Sequence, residues 1–128
     1  MPRREPNAYL RDALRASKAI QEFTAGKSLA NYQASLLLRS AVERLFTIIG
    51  ESLIQLRQLR PDLVATISDH AQIIAFRNVL VHGYAAVDET VVWSIIDEKL
   101  PGFVLEINQL LDDLGTRATP SDSTSDQK

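Results

Sequence analysis

The stretch from Leu29 to Arg60 constrains the fold more than any other part of the chain. Leu29, Tyr32, Leu36, Leu45, Ile49, Leu53 and Leu56 recur at helical spacing and form one apolar stripe. Leu37, Leu38, Ala41, Val42, Phe46, Ile48 and Ile54 widen that stripe past a single face. A helix apolar on more than one side is central in a bundle or shared with a partner chain. Ser28 is placed to cap its start. Pro61 ends it, because the residue before a proline avoids helical dihedrals. The spacing therefore predicts one long helix from Ser28 to about Arg60. Gly50 inside it costs about 1 kcal/mol relative to alanine, which points to close packing against a neighbour at that position.

The flanking segments read the same way. From about Asn7, Leu10, Ala13, Leu14, Ser17 and Ile20 fall on one face, with Phe23 near the end and Gly26-Lys27 as a stop. Asp62 to Asp69 is a connector with room for one short turn. A further helix is predicted from about His70 through Ala71, Ile74, Ala75, Val79 and Leu80 to Val81–His82, interrupted by Gly83. Asp88 is placed to cap the next one, whose apolar face is Val91, Val92, Ile95 and Ile96. Pro101-Gly102 either interrupts that helix or opens the last one at its first turn. The last helix carries Phe103, Val104, Ile107, Leu110, Leu111 and Leu114 to a capping Gly115. No run alternates with period two long enough for a strand, and no repeat is visible. The expected fold is all-α, a bundle of four to five helices over residues 1–115. Residues 116–128 hold no apolar side chain larger than alanine and are expected to be a disordered tail.

Composition narrows the function classes. With 128 residues, one domain is expected, large enough for a core without staples. The absence of cysteine excludes thiolate metal sites and cysteine nucleophiles, and fits a reducing, cytoplasmic setting. No segment approaches about 18 uninterrupted apolar residues, so no membrane span is expected. Fourteen basic and 16 acidic residues leave the chain near neutral, so contact with a nucleic acid would have to be local. Glu43, Glu51, Glu89 and Glu98 show no paired-carboxylate or metal-ligand spacing, and there is no glycine-rich phosphate loop. No cofactor and no metal are expected.

The chemistry concentrates in Phe76-Arg77-Asn78-Val79-Leu80-Val81-His82-Gly83-Tyr84. This set suits phosphodiester cleavage in RNA. His82 can take or give a proton near neutral pH. Arg77 can clamp a phosphate through two parallel hydrogen bonds and hold the charge that builds in the transition state. Asn78 can orient the imidazole or donate to an oxygen, and Tyr84 can stack on a base or donate to phosphate. RNA brings its own nucleophile, the 2′-hydroxyl. The same residues also fit an ordinary helix end, since an imidazole beside a glycine suits the helix dipole. Five residues on an ideal helix advance about 140° past a full turn, so Arg77 and His82 do not stack, whereas Asn78 and His82 do. Three arrangements remain open: Arg77 and His82 on opposite walls of a shallow groove, a helix end that reorients His82, or a second copy that completes the site. His70, beside Asp69, reads as structural. Arg57 and Arg60 read as a solvated surface that can also guide a phosphate backbone.

Arg77, then four residues beginning with the polar Asn78, then His82-Gly83-Tyr84, resembles the signature of HEPN-domain ribonucleases, and with its tyrosine the HepT-like toxin branch. Ile49-Gly50-Glu51-Ser52-Leu53, Pro61-Asp62-Leu63, Asp88, Val92-Trp93 and Leu100-Pro101 are similar to that branch at comparable spacing. The similarity covers roughly residues 7–114. It implies Arg77 and His82 as the catalytic pair of a metal-independent ribonuclease acting on mRNA or tRNA, with Asn78 as polar companion. It implies a homodimer whose two motifs face one cleft. It also implies the toxin role of a toxin–antitoxin pair, with a minimal nucleotidyltransferase antitoxin that transfers AMP to Tyr84. The same fold serves elsewhere as a non-catalytic subunit that docks a nucleotidyltransferase.

Overall fold

In the computed structural model, which describes residues 4–83 and 87–118, the chain is an all-α bundle. Pro6 occupies the first position of α1 (Pro6–Thr24), where a missing N–H costs nothing. Leu10, Ala13, Ser17 and Ile20 are its fully buried face. Phe23 is half exposed; Thr24 is buried instead, its hydroxyl donating to the Ile20 carbonyl at 2.8 Å. Ala25 caps the helix and Gly26 follows it in the left-handed conformation expected of a helix stop.

The predicted long helix is two helices. α2 (Leu29–Ala34) begins with a reciprocal cap: Ser28 Oγ accepts from the Asn31 N–H at 3.1 Å, and Asn31 Oδ1 accepts from the Ser28 N–H at 2.8 Å. Ser35 then turns extended, and its hydroxyl accepts from the Leu38 N–H to start α3 (Leu36–Leu59). A serine favours a cap over a helix interior for this reason. The break turns Leu36 and Leu37 outward, 69% and 82% exposed, so neither belongs to the buried stripe. It also drives Tyr32 fully into the core.

α3 is the central element, packed by α1 and α2 and by the two helices after it in the chain. Val42, Phe46, Ile49, Leu53 and Leu56 are its buried face. Pro61 both ends α3 and opens the short α4 (Pro61–Ala65). Arg60 closes on Asp62 through Nε and Nη2, at 3.0 and 2.8 Å. That pairing occupies the cation expected to guide a phosphate backbone, and Arg57 stays exposed. α5 (His70–His82) covers the predicted span, and Gly83 caps it with φ +63°, its N–H donating to the Val79 carbonyl at 3.2 Å.

Asp88 caps α6 (Glu89–Ser94), accepting from the Thr90 N–H at 3.0 Å. Val92 and Ile96 are buried; Val91 faces out. Pro101 does not interrupt the helical run. Residues Ile95–Lys99 widen into a π-helical turn in which the Leu100 N–H donates to the Ile95 carbonyl, five residues back. A proline ring meets the carbonyl four residues before it in an α-helix, and the wider turn removes that clash. α7 (Leu100–Ala118) continues directly, with Pro101 in its first turn. It runs through Gly115, which is therefore not a cap and has no positive φ. It also takes in residues 116–118, the start of the segment expected to be a disordered tail. Residues 119–128, the rest of that segment, lie outside those described. No helix of the described residues is long and apolar enough to cross a membrane.

The α3–α5 crossing is unusually close. A Cβ placed on Gly50 would lie 2.2 Å from Arg77 Cβ and 2.6 Å from its Cγ. Gly50→Ala must push the two helices apart, and is expected to lower unfolding free energy by about 1–3 kcal/mol, measurable by urea titration.

Tyr32 gives a second test. Its ring packs on Trp93 at 5.6 Å, and its hydroxyl has no hydrogen-bond partner among the described residues. Burial, then the nearby carboxylates of Glu43 and Glu89, push its ionisation from 10 up to about 12, against a smaller opposing pull from Arg39. The folded state thus holds this proton more tightly than the unfolded chain. The associated stability is complete below pH 10 and is lost as pH rises toward 12. In an ultraviolet titration of the three tyrosines, Tyr32 should ionise last and together with unfolding.

Candidate active site at the C-terminal end of α5

Among the described residues, α5 has one deeply buried side chain, Ile74. The others divide into two flanks and an outer face. Phe76 and Ile73 line one flank, where a cavity of about 520 Å³ opens between α5, the π-helical turn and α7. Phe46, Ile49, Leu100 and Phe103 form its floor. Ser68 closes one edge by donating from its N–H and its hydroxyl to Glu106, at 3.1 and 2.7 Å. Lys99 faces Asp69 nearby at 3.7 Å. The chemistry-bearing side chains lie away from this apolar cavity.

Arg77 lies in the α3–α5 seam. Because Gly50 has no side chain, the first two carbons of Arg77 rest on the α3 backbone. The guanidinium then reaches past Gly50 to its neighbour. Nη2 donates to Glu51 Oε2 at 3.3 Å, and Nη1 donates to Asn78 Oδ1 at 3.0 Å. Nε is buried and has no partner among the described residues. The Arg77 side chain is 24% exposed overall, with Nε buried, and its fork is held from two sides.

Asn78 is exposed and stands four residues before His82, on the same face of α5. His82 is exposed too, and it is the last helical residue. The backbone stays helical through His82. Within one copy, Arg77 points into the seam and His82 points outward, with Asn78 next to both in the helix lattice. Val79 and Val81, each about half exposed, leave the outer face of α5 apolar around His82. Tyr84 lies outside the described residues.

His70 begins α5, and its Nδ1 is buried with no hydrogen-bond partner among the described residues. It lies at the opposite end of the helix from His82. Glu51 is not legible as a site residue from spacing: its partner is 26 positions away in the chain. The signal that is present is the Gly50-Glu51 pair in the middle of a long helix. A glycine there marks a close approach, and the next residue stands beside whatever approaches. Glu43, two turns earlier on α3, belongs to a different cluster. Burial raises its carboxyl above the usual range, Arg39 opposes this and Glu89 adds to it. Arg39 Nε pairs with Glu89 at 3.2 Å and ties α3 to α6.

Comparison with known proteins identifies a family. The family model described as "Ribonuclease HepT-like" matches residues 13–110, which contain all the helices that form the seam. The chain is 28% identical over 109 residues to the Methanocaldococcus jannaschii protein named "Putative RNase MJ1380", covering 84% of this chain and 97% of that one. It is 26% identical over 119 residues to "Putative RNase MJ0127" of the same organism, covering 89% and 93%. No solved structure matches the chain. With most of its length matched by the family model and an arginine and histidine set on one helix end, the chain belongs to the ribonuclease HepT-like family.

Proposed function

We propose that the protein is a metal-independent ribonuclease that acts as the toxin of a toxin–antitoxin pair in the cytoplasm. The observation that carries this reading is the fixed guanidinium of Arg77, held by Glu51 and Asn78, on the same helix end as an exposed His82. RNA supplies the 2′-hydroxyl. Its oxygen attacks the adjacent phosphorus and the bond to the 5′-oxygen breaks, giving a 2′,3′-cyclic phosphate and a 5′-hydroxyl. His82 takes the proton from the nucleophile or delivers one to the leaving oxygen. Arg77 binds the phosphate and stabilises the charge on its oxygens. Asn78 keeps Arg77 in line by accepting from Nη1 through Oδ1, which leaves its amide nitrogen to donate to substrate.

A single copy has one such histidine, and in-line cleavage uses an acid and a base on opposite sides of phosphorus. Two copies facing each other across α5 would supply both. The exposed Val79 and Val81, with Leu36 and Leu37 at the start of α3, support a homodimer on apolar grounds. Tyr84 lies two residues beyond His82 in the sequence. An AMP placed on it by a nucleotidyltransferase antitoxin would bring negative charge and bulk to the motif, and so compete with an RNA phosphate.

The test uses the purified chain with intact mass measured first, so that a modified tyrosine is recognised. With EDTA present, the unmodified protein should cut tRNA or total RNA and leave cyclic phosphate ends. His82→Ala and Arg77→Ala should each lower the rate by about 100-fold or more, with folding unchanged in His82→Ala and some loss of stability in Arg77→Ala, whose stem packs on Gly50. An unmodified, folded protein that cuts no RNA, or a His82→Ala variant as active as the parent, would leave the chain as a non-catalytic subunit that docks a nucleotidyltransferase.

A further inference from the structure

Gly50 and Glu51 act on Arg77 as a pair, the first by shape and the second by charge. The missing Cβ of Gly50 lets the arginine stem lie flat on α3. Glu51 then meets Nη2 from α3, while Asn78 meets Nη1 from α5. A guanidinium has five N–H donors in a rigid fork. One donor on each terminal nitrogen is taken, Nε points inward, and one donor on each terminal nitrogen remains for a ligand. Two parallel donors are what a phosphate accepts.

We infer that Glu51 is a positioning residue for RNA cleavage: it orients the Arg77 fork before substrate arrives and offsets its charge until a phosphate replaces that role. The inference rests on the ribonuclease reading above. It has two consequences of opposite sign. Removing the Glu51 carboxylate loosens the fork, which slows the chemical step. It also leaves Arg77 without its internal counter-ion, which strengthens attraction to the RNA backbone. A residue that merely supported the fold would weaken rate, affinity and stability together.

The experiment compares the parent with Glu51→Gln and Glu51→Ala. Single-turnover cleavage gives the rate. Binding of a labelled single-stranded RNA is measured across salt in the His82→Ala background, which blocks turnover. Nitrogen-15 spectra of the arginine side chains report rotation of the Arg77 guanidinium without reference to activity. In the parent that rotation should be restricted, and in Glu51→Ala it should be averaged. The rate should fall about tenfold in Glu51→Gln and further in Glu51→Ala. RNA affinity at low salt should rise, with the salt slope steeper by about 0.7, the value for one more effective charge on a single strand. A parent whose Arg77 already rotates freely overturns the inference. So does a pair of variants that cut RNA as fast as the parent, or that lose rate and affinity in parallel with thermal stability. A parent with a fixed guanidinium that cuts no RNA overturns the ribonuclease reading itself, and this role with it.

Discussion

The contact between Gly50 and Arg77 sets the terms for the rest of the structure. A side chain of any size at position 50 would hold α5 away from α3, since even a methyl group would reach within 2.2 Å of Arg77 Cβ. With glycine there, the stem of an arginine takes a place in the seam that a leucine or valine would normally fill. A partly buried guanidinium is steadied by an anionic or polar partner, and Glu51 is one residue on from the glycine that admits it. The same few residues of α3 therefore serve two environments. Ile49 and Leu53 point into the core, and Glu51 points to the edge of the seam. α5 is left with little burial of its own. Its outer face stays open to solvent or to a second copy.

That arrangement needs α5 to be secured in some other way, and its N-terminal end shows how. Glu106 on α7 receives both the N–H and the hydroxyl of Ser68, just before the helix begins. Glu106 can be there because the chain from Glu89 to Ala118 is continuous through the π-helical turn. Absorbing Pro101 in a wider turn keeps α6 and α7 in one rod, so Leu100, Phe103 and Ile107 all reach the core. π-turns of this kind are uncommon and cost packing regularity; here the turn carries the rod past a proline that a regular helix could not hold. α5 is thus tied at its start, and it ends at Gly83, one residue after His82.

The elements that can be read from sequence are those governed by local chemistry. The boundaries of α5, the caps at Ser28 and Asp88, and the left-handed Gly83 each depend on residues within one turn of the feature. The failures have a common physical cause. Ser35 breaks a run whose apolar spacing is helical on both sides, and nothing in that spacing says which serine will cap and which will stay in the helix, as Ser17 does by bonding back to Ala13. Gly115 reads as a stop, yet partial burial of Leu110, Leu111 and Leu114 outweighs about 1 kcal/mol of helix propensity. At Pro101 the local pattern offers a choice between breaking one helix and starting another; the chain takes the second, and the π-helical turn before Leu100, which the pattern does not show, joins the two helices without a break. The site divides along the same line. Arg77, Asn78 and His82 are near in sequence and are visible together. Glu51 depends on the register of two crossing helices, which periodicity does not carry.

The charge of the chain bears on how such a site would work. With 14 basic and 16 acidic residues, the protein as a whole does not draw RNA toward itself. Arg60 is committed to Asp62, Arg39 to Glu89, and Arg77 itself to Glu51. An enzyme built this way gains little from non-specific attraction to phosphates, the term that dominates most nucleic-acid binding. Discrimination then has to arise at the donors that Glu51 and Asn78 leave open, where binding is favourable only when the incoming phosphate presents two oxygens in the plane of the fork. The internal carboxylate would thus act as a filter as well as a support. It makes loose, single-point contacts with RNA unrewarding and leaves the aligned contact, which is the one that leads to cleavage.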